Sequence, residues 1–154
     1  MRAPYAAITL TLVTVAVSGL LEAAPPTGRP HATRASRTEY AATLAGRDGR
    51  KITGAASARP SADGKGTEVT VTLDGDTPGA TRPWHVHSGS CKQSGGVVGG
   101  GRAYSPIVID AKGQGKGTAT IPVSLADTAT YYVNIHDAAA AMGIIVACGD
   151  LTKK

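Results

Sequence analysis

Glu68–Leu73 reads EVTVTL and decides the fold class, because polar and apolar side chains alternate along its whole length. Successive side chains of an extended strand point to opposite faces, so Val69, Val71 and Leu73 share one face. Such alternation is typical of a strand with one buried face and one solvated face. The stretch therefore predicts a β-strand that packs on a core through its valines and its leucine.

Seven further runs rich in β-forming residues lie on either side of this strand. They are Thr38–Leu44, Ile52–Ala58, Trp84–His87, Ser105–Ile109, Thr118–Val123, Tyr131–His136 and Ile144–Ala147. Turn-forming residues separate them, a glycine-rich loop is expected from Ser88 to Arg102, and Ala138–Ala141 is expected to be a loop turn. About eight short strands without an amphipathic helix predict an all-β, antiparallel sandwich or barrel.

The beginning of the chain differs in composition from the rest. A basic start at Met1-Arg2, an apolar stretch from Ala6 to Leu21 and a small-residue exit predict a signal peptide over residues 1–24. Residues 25–37 are proline-rich and basic and are predicted to be a flexible linker. Residues 38–154 then form one β-domain of a secreted or periplasmic protein. An uncleaved N-terminal anchor is the alternative for the apolar stretch, and it would be the chain's contact with a membrane.

The charge distribution argues against a nucleic-acid partner. The chain has 16 Lys and Arg residues against 11 Asp and Glu, a formal net charge of +5. The basic residues are spread along the chain in ones and twos, without the dense basic block that nucleic-acid binding favours. A diffuse positive field attracts small anions, and a basic surface with no specific function is the alternative.

The chain has two cysteines, Cys91 and Cys148. An even number of cysteines in an exported protein predicts a disulfide. Such a bond would close a loop of 57 residues, which chain-entropy arguments value at about 4 kcal/mol. Two free thiols are the alternative.

His85-Val86-His87 is the sharpest local feature of the sequence. In a strand the two imidazoles lie on one face, about 7 Å apart along the strand, while Trp84 and Val86 lie on the other. Two imidazoles placed in this way can bind one metal ion. An isolated pair with this spacing is a weak motif by itself.

His136 ends a strand with the same arrangement. Within Tyr131–His136, Val133 and Ile135 fall on one face and His136 falls on the other. If the apolar side chains face the core, all three imidazoles lie exposed on the outer face of two strands. Three nitrogen ligands without a nearby carboxylate suit copper or zinc. The pattern therefore predicts a metal site made by the three histidines, and imidazoles that bind nothing are the alternative.

Two other residues are secondary candidates. Met142, which follows His136 in a loop, has a soft thioether that would favour Cu(I), and packing within the loop is its alternative role. His31 lies in the predicted linker, where it could reach the site or remain solvated.

Three segments together resemble the Cu,Zn superoxide dismutase-like superfamily: PWHVHSGSC (83–91), YYVNIHD (131–137) and IIVACGDL (144–151). The resemblance covers roughly residues 38–151 and implies a Greek-key β-sandwich. It implies that His85, His87 and His136 are copper ligands. It also implies that Cys148 is the terminal half of a disulfide whose other half is Cys91.

The sequence departs from that family in two ways. Active members have a bridging histidine and zinc ligands in the long loop after the first cysteine, whereas residues 92–106, KQSGGVVGGGRAYSP, contain no His and no Asp. The family's anion-guiding arginine corresponds to Ile145, and the nearest arginine in the loop is Arg102. A copper site without the zinc site is therefore expected, with zinc as the alternative ion in that one site.

A second resemblance is to CHRD domains, the chordin-type modules, through HVHSG (85–89), GGVVG (95–99) and YYVNIHD. Those modules are not established enzymes. The combined pattern leads us to expect an exported copper-binding protein that serves copper storage, delivery or tolerance. A copper-only dismutase acting on superoxide and a non-enzymatic adhesion or interaction module are the two alternatives.

Overall fold

The structure, a computed structural model, describes residues 38–154. The predicted signal peptide, the predicted linker and His31 lie outside these described residues. Within them, no helix has the length and apolar character needed to cross a membrane.

Ten β-strands make up nearly all of the regular structure in the described part of the chain. They are β1 (Tyr40–Gly46), β2 (Thr53–Pro60), β3 (Thr67–Asp74), β4 (Thr81–Arg82), β5 (Trp84–Ser90), β6 (Gln93–Val97), β7 (Ile107–Val108), β8 (Gly115–Ile121), β9 (Tyr131–His136) and β10 (Ile145–Lys153). Two single 3₁₀ turns, Gly101–Ala103 and Ala139–Ala141, lie in the loops before β7 and β10. The predicted all-β class is confirmed.

Eight strands form one antiparallel sheet in the order β6-β5-β9-β10-β1-β2-β3-β8, and β4 pairs with β7 in a separate two-stranded ribbon. The chain leaves β5 through β6, passes through β8 at the opposite edge, and returns as β9 to lie beside β5. A strand that returns in this way to lie beside an earlier one makes a Greek-key connection. This connection places β5 and β9, the two strands that carry the histidines, next to each other.

The sheet curls into a half-barrel around a single core. Trp84, fully buried on β5, donates a hydrogen bond through Nε1 to the Ser105 carbonyl at 2.8 Å. A methyl group added to Gly117 of β8 would lie only 2.9 Å from the same Nε1 atom. The two strands are far apart in sheet order, so this approach shows that the β8 edge folds over toward β5.

Two boundaries predicted from the sequence are wrong. The segment Ser88 to Arg102, expected to be a loop, contains the end of β5 and all of β6, which pairs with β5 through His87 and Val97. Glycine weakens local strand preference, so this edge strand carries little sequence signal. The last strand, expected to end at Ala147, continues to Lys153 because its charged end pairs with β1.

The predicted disulfide is confirmed. Cys91 and Cys148 are bonded, with 6.0 Å between their Cα atoms. Cys91 lies in the turn between β5 and β6, and its backbone N–H also donates to the Asp150 carboxylate at 2.6 Å. The bond therefore fastens the tip of this hairpin to β10.

Candidate metal centre

The three histidines lie on neighbouring strands. His85 and His87 are on β5, and His136 is the last residue of β9. Trp84, Val86, Val133 and Ile135 belong to the hydrophobic core cluster. The buried Tyr132 does not belong to it and stacks on His87 instead, as the predicted division between the two faces requires.

The expected exposure of the three imidazoles is wrong. Only 9% of His85 and 4% of His136 is exposed, and His87 is half-buried. Two loop segments contribute to this burial: residues 98–104 lie against His85, and residues 137–144 lie against His136. The site is therefore a lined recess rather than three side chains on an open surface.

The first covering segment is residues 98–104. It is fastened by a hydrogen bond from the Val98 N–H to the Val86 carbonyl at 2.9 Å and by the Tyr104 hydroxyl, which donates to the Val98 carbonyl at 2.7 Å. Tyr104 meets the His85 ring edge-on, with 5.2 Å between ring centroids. A methyl group on Gly101 would lie 3.5 Å from His85 Nε2. Backbone and ring together therefore enclose His85.

The imidazoles converge on one another. Each offers one nitrogen, and the three nitrogens all lie within 4.8 Å of each other, close enough to share a metal ion. His85 Nδ1 and His136 Nε2 are 3.2 Å apart. Within residues 38–154, no other group of His, Cys, Asp and Glu residues meets this criterion.

Backbone carbonyls determine which nitrogens are free. His87 Nδ1 lies 3.0 Å from the Gly95 carbonyl, and His136 Nδ1 lies 2.6 Å from the Met142 carbonyl. A carbonyl only accepts, so both Nδ1 atoms carry the proton and donate it. In the neutral rings both Nε2 atoms then keep a lone pair. Such fixing of the tautomer by a carbonyl is a common feature of metal-binding histidines.

Burial favours the neutral form of His85 and of His136. It lowers the pKa of His85 to about 4, with further contributions from the nearby His136 and His87. Burial also lowers the pKa of His136, against the opposing effect of the Met142 carbonyl. A neutral imidazole is the form that binds a metal ion, so at neutral pH these two rings need not lose a proton first.

Tyr132 contacts His87 on the face of the sheet that carries the histidines. Its ring stacks on His87, with 5.2 Å between centroids and 30° between planes. Its hydroxyl is buried and has no hydrogen-bond partner in the described part of the chain, and the same is true of His87 Nε2. A buried polar atom without a partner costs free energy. The two atoms therefore indicate a candidate binding position for a ligand or ion beside His87.

Met142 contributes its backbone to the site. Its carbonyl accepts the hydrogen bond from His136, whereas its side chain is 38% exposed. This carbonyl and that of Gly95 were not foreseen from the sequence, since backbone groups leave no residue-type signal. The glycine-rich composition of residues 95–101 was the one available hint, because glycine permits close backbone approach.

No protein-family model matches this chain. No curated protein matches it either. The family resemblance therefore depends on the motifs quoted above, together with an all-β antiparallel architecture that is compatible with it.

Proposed function

We propose that this protein is an exported copper-binding protein, in which His85, His87 and His136 hold the ion. Copper storage, delivery or tolerance is the role that such a site supports best. The superoxide dismutase-like motifs favour the same three ligands.

One observation carries this proposal. His87 Nε2 is buried without a hydrogen-bond partner among the described residues, while its Nδ1 is committed to the Gly95 carbonyl. An imidazole that only packed would be expected to satisfy both nitrogens. A metal ion shared with His85 and His136 would satisfy the remaining nitrogen.

The donor set supports copper. Three imidazole nitrogens suit copper and zinc, and the described residues bring no carboxylate into the cluster. Affinity for a given nitrogen site is generally higher for Cu²⁺ than for Zn²⁺. Zinc is therefore the competing ion in a binding assay.

The disulfide supports export. Disulfides persist in oxidising compartments and are rare in the cytosol, and Cys91–Cys148 is formed here. The predicted signal peptide agrees with this assignment.

The test is a copper titration of the purified protein with Cu(II) and, under reducing conditions, with Cu(I). We expect one ion per chain, and a loss of affinity of at least about tenfold in His85→Ala and in His136→Ala, because each removes one ligand. His31→Ala is the matched control, since it removes the one histidine of the chain that the proposal does not make a ligand. Binding that is absent in the native protein, or equal in all variants, would contradict the proposal.

A copper-only superoxide dismutase is the second candidate, and the position of Arg102 favours it. Arg102 is exposed and follows Gly101, whose backbone lies against His85. A positive charge beside a metal site raises the encounter rate of an anion such as superoxide.

A superoxide-disappearance assay on the copper-loaded protein separates the two candidates. A dismutase would exceed chelated copper in rate, and Arg102→Ala would lower that rate most at low ionic strength. A rate equal to that of chelated copper would exclude the dismutase and leave the copper-binding role in place.

A further inference from the structure

We propose that Arg82 is a positioning residue for the metal centre. Its buried guanidinium holds the chain segment that follows His136, and that segment supplies the carbonyl that orients the His136 ring. This inference rests on the proposed role of His136 as a ligand. Arg82 lies in β4, and the hydrogen bonds of its guanidinium go to Asp76 and Asp137 rather than to an imidazole.

The guanidinium joins two separate parts of the chain. Arg82 Nε and Nη2 donate to the two carboxylate oxygens of Asp76 at 2.8 and 2.7 Å. Arg82 Nη1 donates to the Asp137 carbonyl at 2.6 Å and to its carboxylate at 2.8 Å. The side chains of Arg82 and Asp76 are 6% and 1% exposed. Charge-assisted bonds with this forked geometry are among the strongest that a side chain makes.

Asp137 transmits this restraint to His136, its neighbour in the chain. The Asp137 N–H donates to the Ile144 carbonyl at 2.9 Å and so closes the loop of residues 137–144. Within this loop, the Met142 carbonyl accepts the hydrogen bond from His136 Nδ1. The His136 N–H in turn donates to the carbonyl of Pro83, next to Arg82, at 2.8 Å. Residues 82–83 and 136–137 are thus joined by hydrogen bonds at two successive positions of each segment.

The choice of residue favours positioning over stability alone. A buried ion pair contributes little compared with apolar side chains of similar volume, because both charges must be desolvated. Lysine is a point charge that cannot reproduce the flat fork to Asp76 and the simultaneous bonds to Asp137. The guanidinium instead fixes the position of Asp137, the residue next to the proposed metal ligand His136.

The test compares Arg82→Lys with the native full-length chain, both ¹⁵N-labelled and metal-free. The imidazole Nδ1–H of His136 is followed by NMR, and we expect its exchange with solvent to become at least about tenfold faster as its bond to Met142 loosens. The Nδ1–H of His87, bonded to Gly95, is the internal reference and should not change. Cu(II) affinity should fall about 10- to 100-fold, as for other groups that orient a metal ligand.

Arg59→Lys is the matched control, because Arg59 pairs with Glu68 at 2.6 Å on the exposed surface of β2 and β3. It should leave both imidazole signals and the copper affinity as they are in the native chain. If Arg82→Lys does not fold, Asp137→Ala decides the question. It removes the carboxylate that Arg82 and, at 3.8 Å, Arg50 contact, and leaves the Arg82–Asp76 pair and the bond to the Asp137 carbonyl intact. The His136 exchange rate should therefore rise less than in Arg82→Lys and more than in Arg59→Lys.

Two results would overturn the role of Arg82. One is an unchanged exchange rate for His136 in a folded variant. The other is an equal loss of the His136 and His87 signals, which would show general loosening rather than positioning. Because the NMR readout uses metal-free protein, a faster exchange at His136 alone would support the inference even if the native chain bound no copper.

Discussion

The two halves of the main sheet, β6-β5-β9-β10 and β1-β2-β3-β8, have different outer faces. The outward side chains of β1, β2 and β3 that line a shallow open depression are small and mostly exposed: Ala41, Thr43, Ala55, Ser57, Thr70 and Thr72. On β9, every residue from Tyr131 to His136 is buried, on both faces of the sheet. Residues 98–104 and 137–144 lie against the histidines of this second half, which we call the covered half, and β1, β2 and β3 belong to the open half.

The comparison teaches where this sheet can hold a ligand. Both halves bury an apolar inner face on the same core. On the outer face, only the covered half places polar side chains in buried surroundings of low dielectric constant. Electrostatic interactions and metal coordination are stronger there than in water. The outer face of the open half meets water directly. Substitutions on that outer face should therefore have little effect on stability or on metal binding.

The largest effect on stability is expected from the disulfide, which fastens the hairpin of the covered half to β10. The double variant Cys91→Ser/Cys148→Ser releases a loop of 57 residues, and we expect a loss of about 4 kcal/mol in the free energy of unfolding. Urea denaturation at neutral pH measures it. A loss below about 1 kcal/mol would show that the covered half does not depend on this bond.

The next effect contrasts a buried ion pair that contacts the loop after β9 with an exposed ion pair of the open half. Asp76→Asn removes the forked ion pair of the buried Arg82 and leaves it the half-buried Asp137 carboxylate, and we expect a loss of about 3 kcal/mol. Glu68→Gln removes the partner of the exposed Arg59, and we expect a loss of at most about 1 kcal/mol. Both variants are compared by denaturation at pH 7. Equal losses in the free energy of unfolding would contradict the distinction between the buried and the exposed ion pair.

The same buried pair predicts a dependence on pH. Burial of Asp76 opposes its ionisation, but the hydrogen bonds from Arg82 and Thr77 outweigh burial and hold its pKa below the usual value. In the unfolded chain an aspartate titrates near about 3.9. The contribution of the pair is therefore complete above that pH and is lost as the pH falls through the lower folded-state pKa.

Denaturation of the native chain and of Asp76→Asn at several pH values measures this dependence. The difference in stability between them should be constant from neutral pH down to about pH 5 and should shrink below about pH 4. A difference that stays the same down to the lowest pH would show that Asp76 does not have a depressed pKa.

A smaller effect should come from the first covering segment. Gly99 has a φ of 75°, and a methyl group there would lie 2.7 Å from Ile121 Cβ. Gly99→Ala should therefore cost about 2–4 kcal/mol through strain and overlap. Gly100→Ala, with a φ of 81° and open space around the added methyl, should cost only about 1–2 kcal/mol. Thermal unfolding checks both, and equal costs would mean that the segment does not pack on β8.

The smallest effect is expected on the open half. Ser57→Thr adds one methyl to an exposed position of β2, and the stability should change by less than about 0.5 kcal/mol. The copper affinity should be unchanged. A marked loss of either would show that this open depression has a role of its own.

How well the sequence predicted each region follows from the same contrast. β3 has one solvent-exposed face and one buried face, so polar and apolar residues alternate along Glu68–Leu73. The strand was therefore predicted to within one residue at each end. β9 was predicted from Tyr131 to His136, with the correct division of its faces. β6 was missed, because the strand of Gln93–Val97 is held by pairing with β5 and not by its own composition.

At the site, the side chains were predictable and their surroundings were not. The parity of His85, His87 and His136 is a local property, so it could be derived from alternation alone. Their burial depends on how two loops, residues 98–104 and 137–144, fold against the rings, which alternation does not show, so the expectation of exposed rings was wrong. The carbonyls of Gly95 and Met142, which leave the Nε2 atoms free, have no signature in residue type.

The most direct measurement follows the histidine nitrogens while copper is added. Cu(I) is diamagnetic, so the ¹⁵N resonances of all four histidines can be observed in labelled protein before and after loading. We expect large shifts at one ring nitrogen of His85 and at Nε2 of His87 and of His136, with the Nδ1–H signals of His87 and His136 retained at their carbonyls and His31 unchanged. Shifts confined to His31, or no shift at any histidine, would contradict a copper centre on β5 and β9.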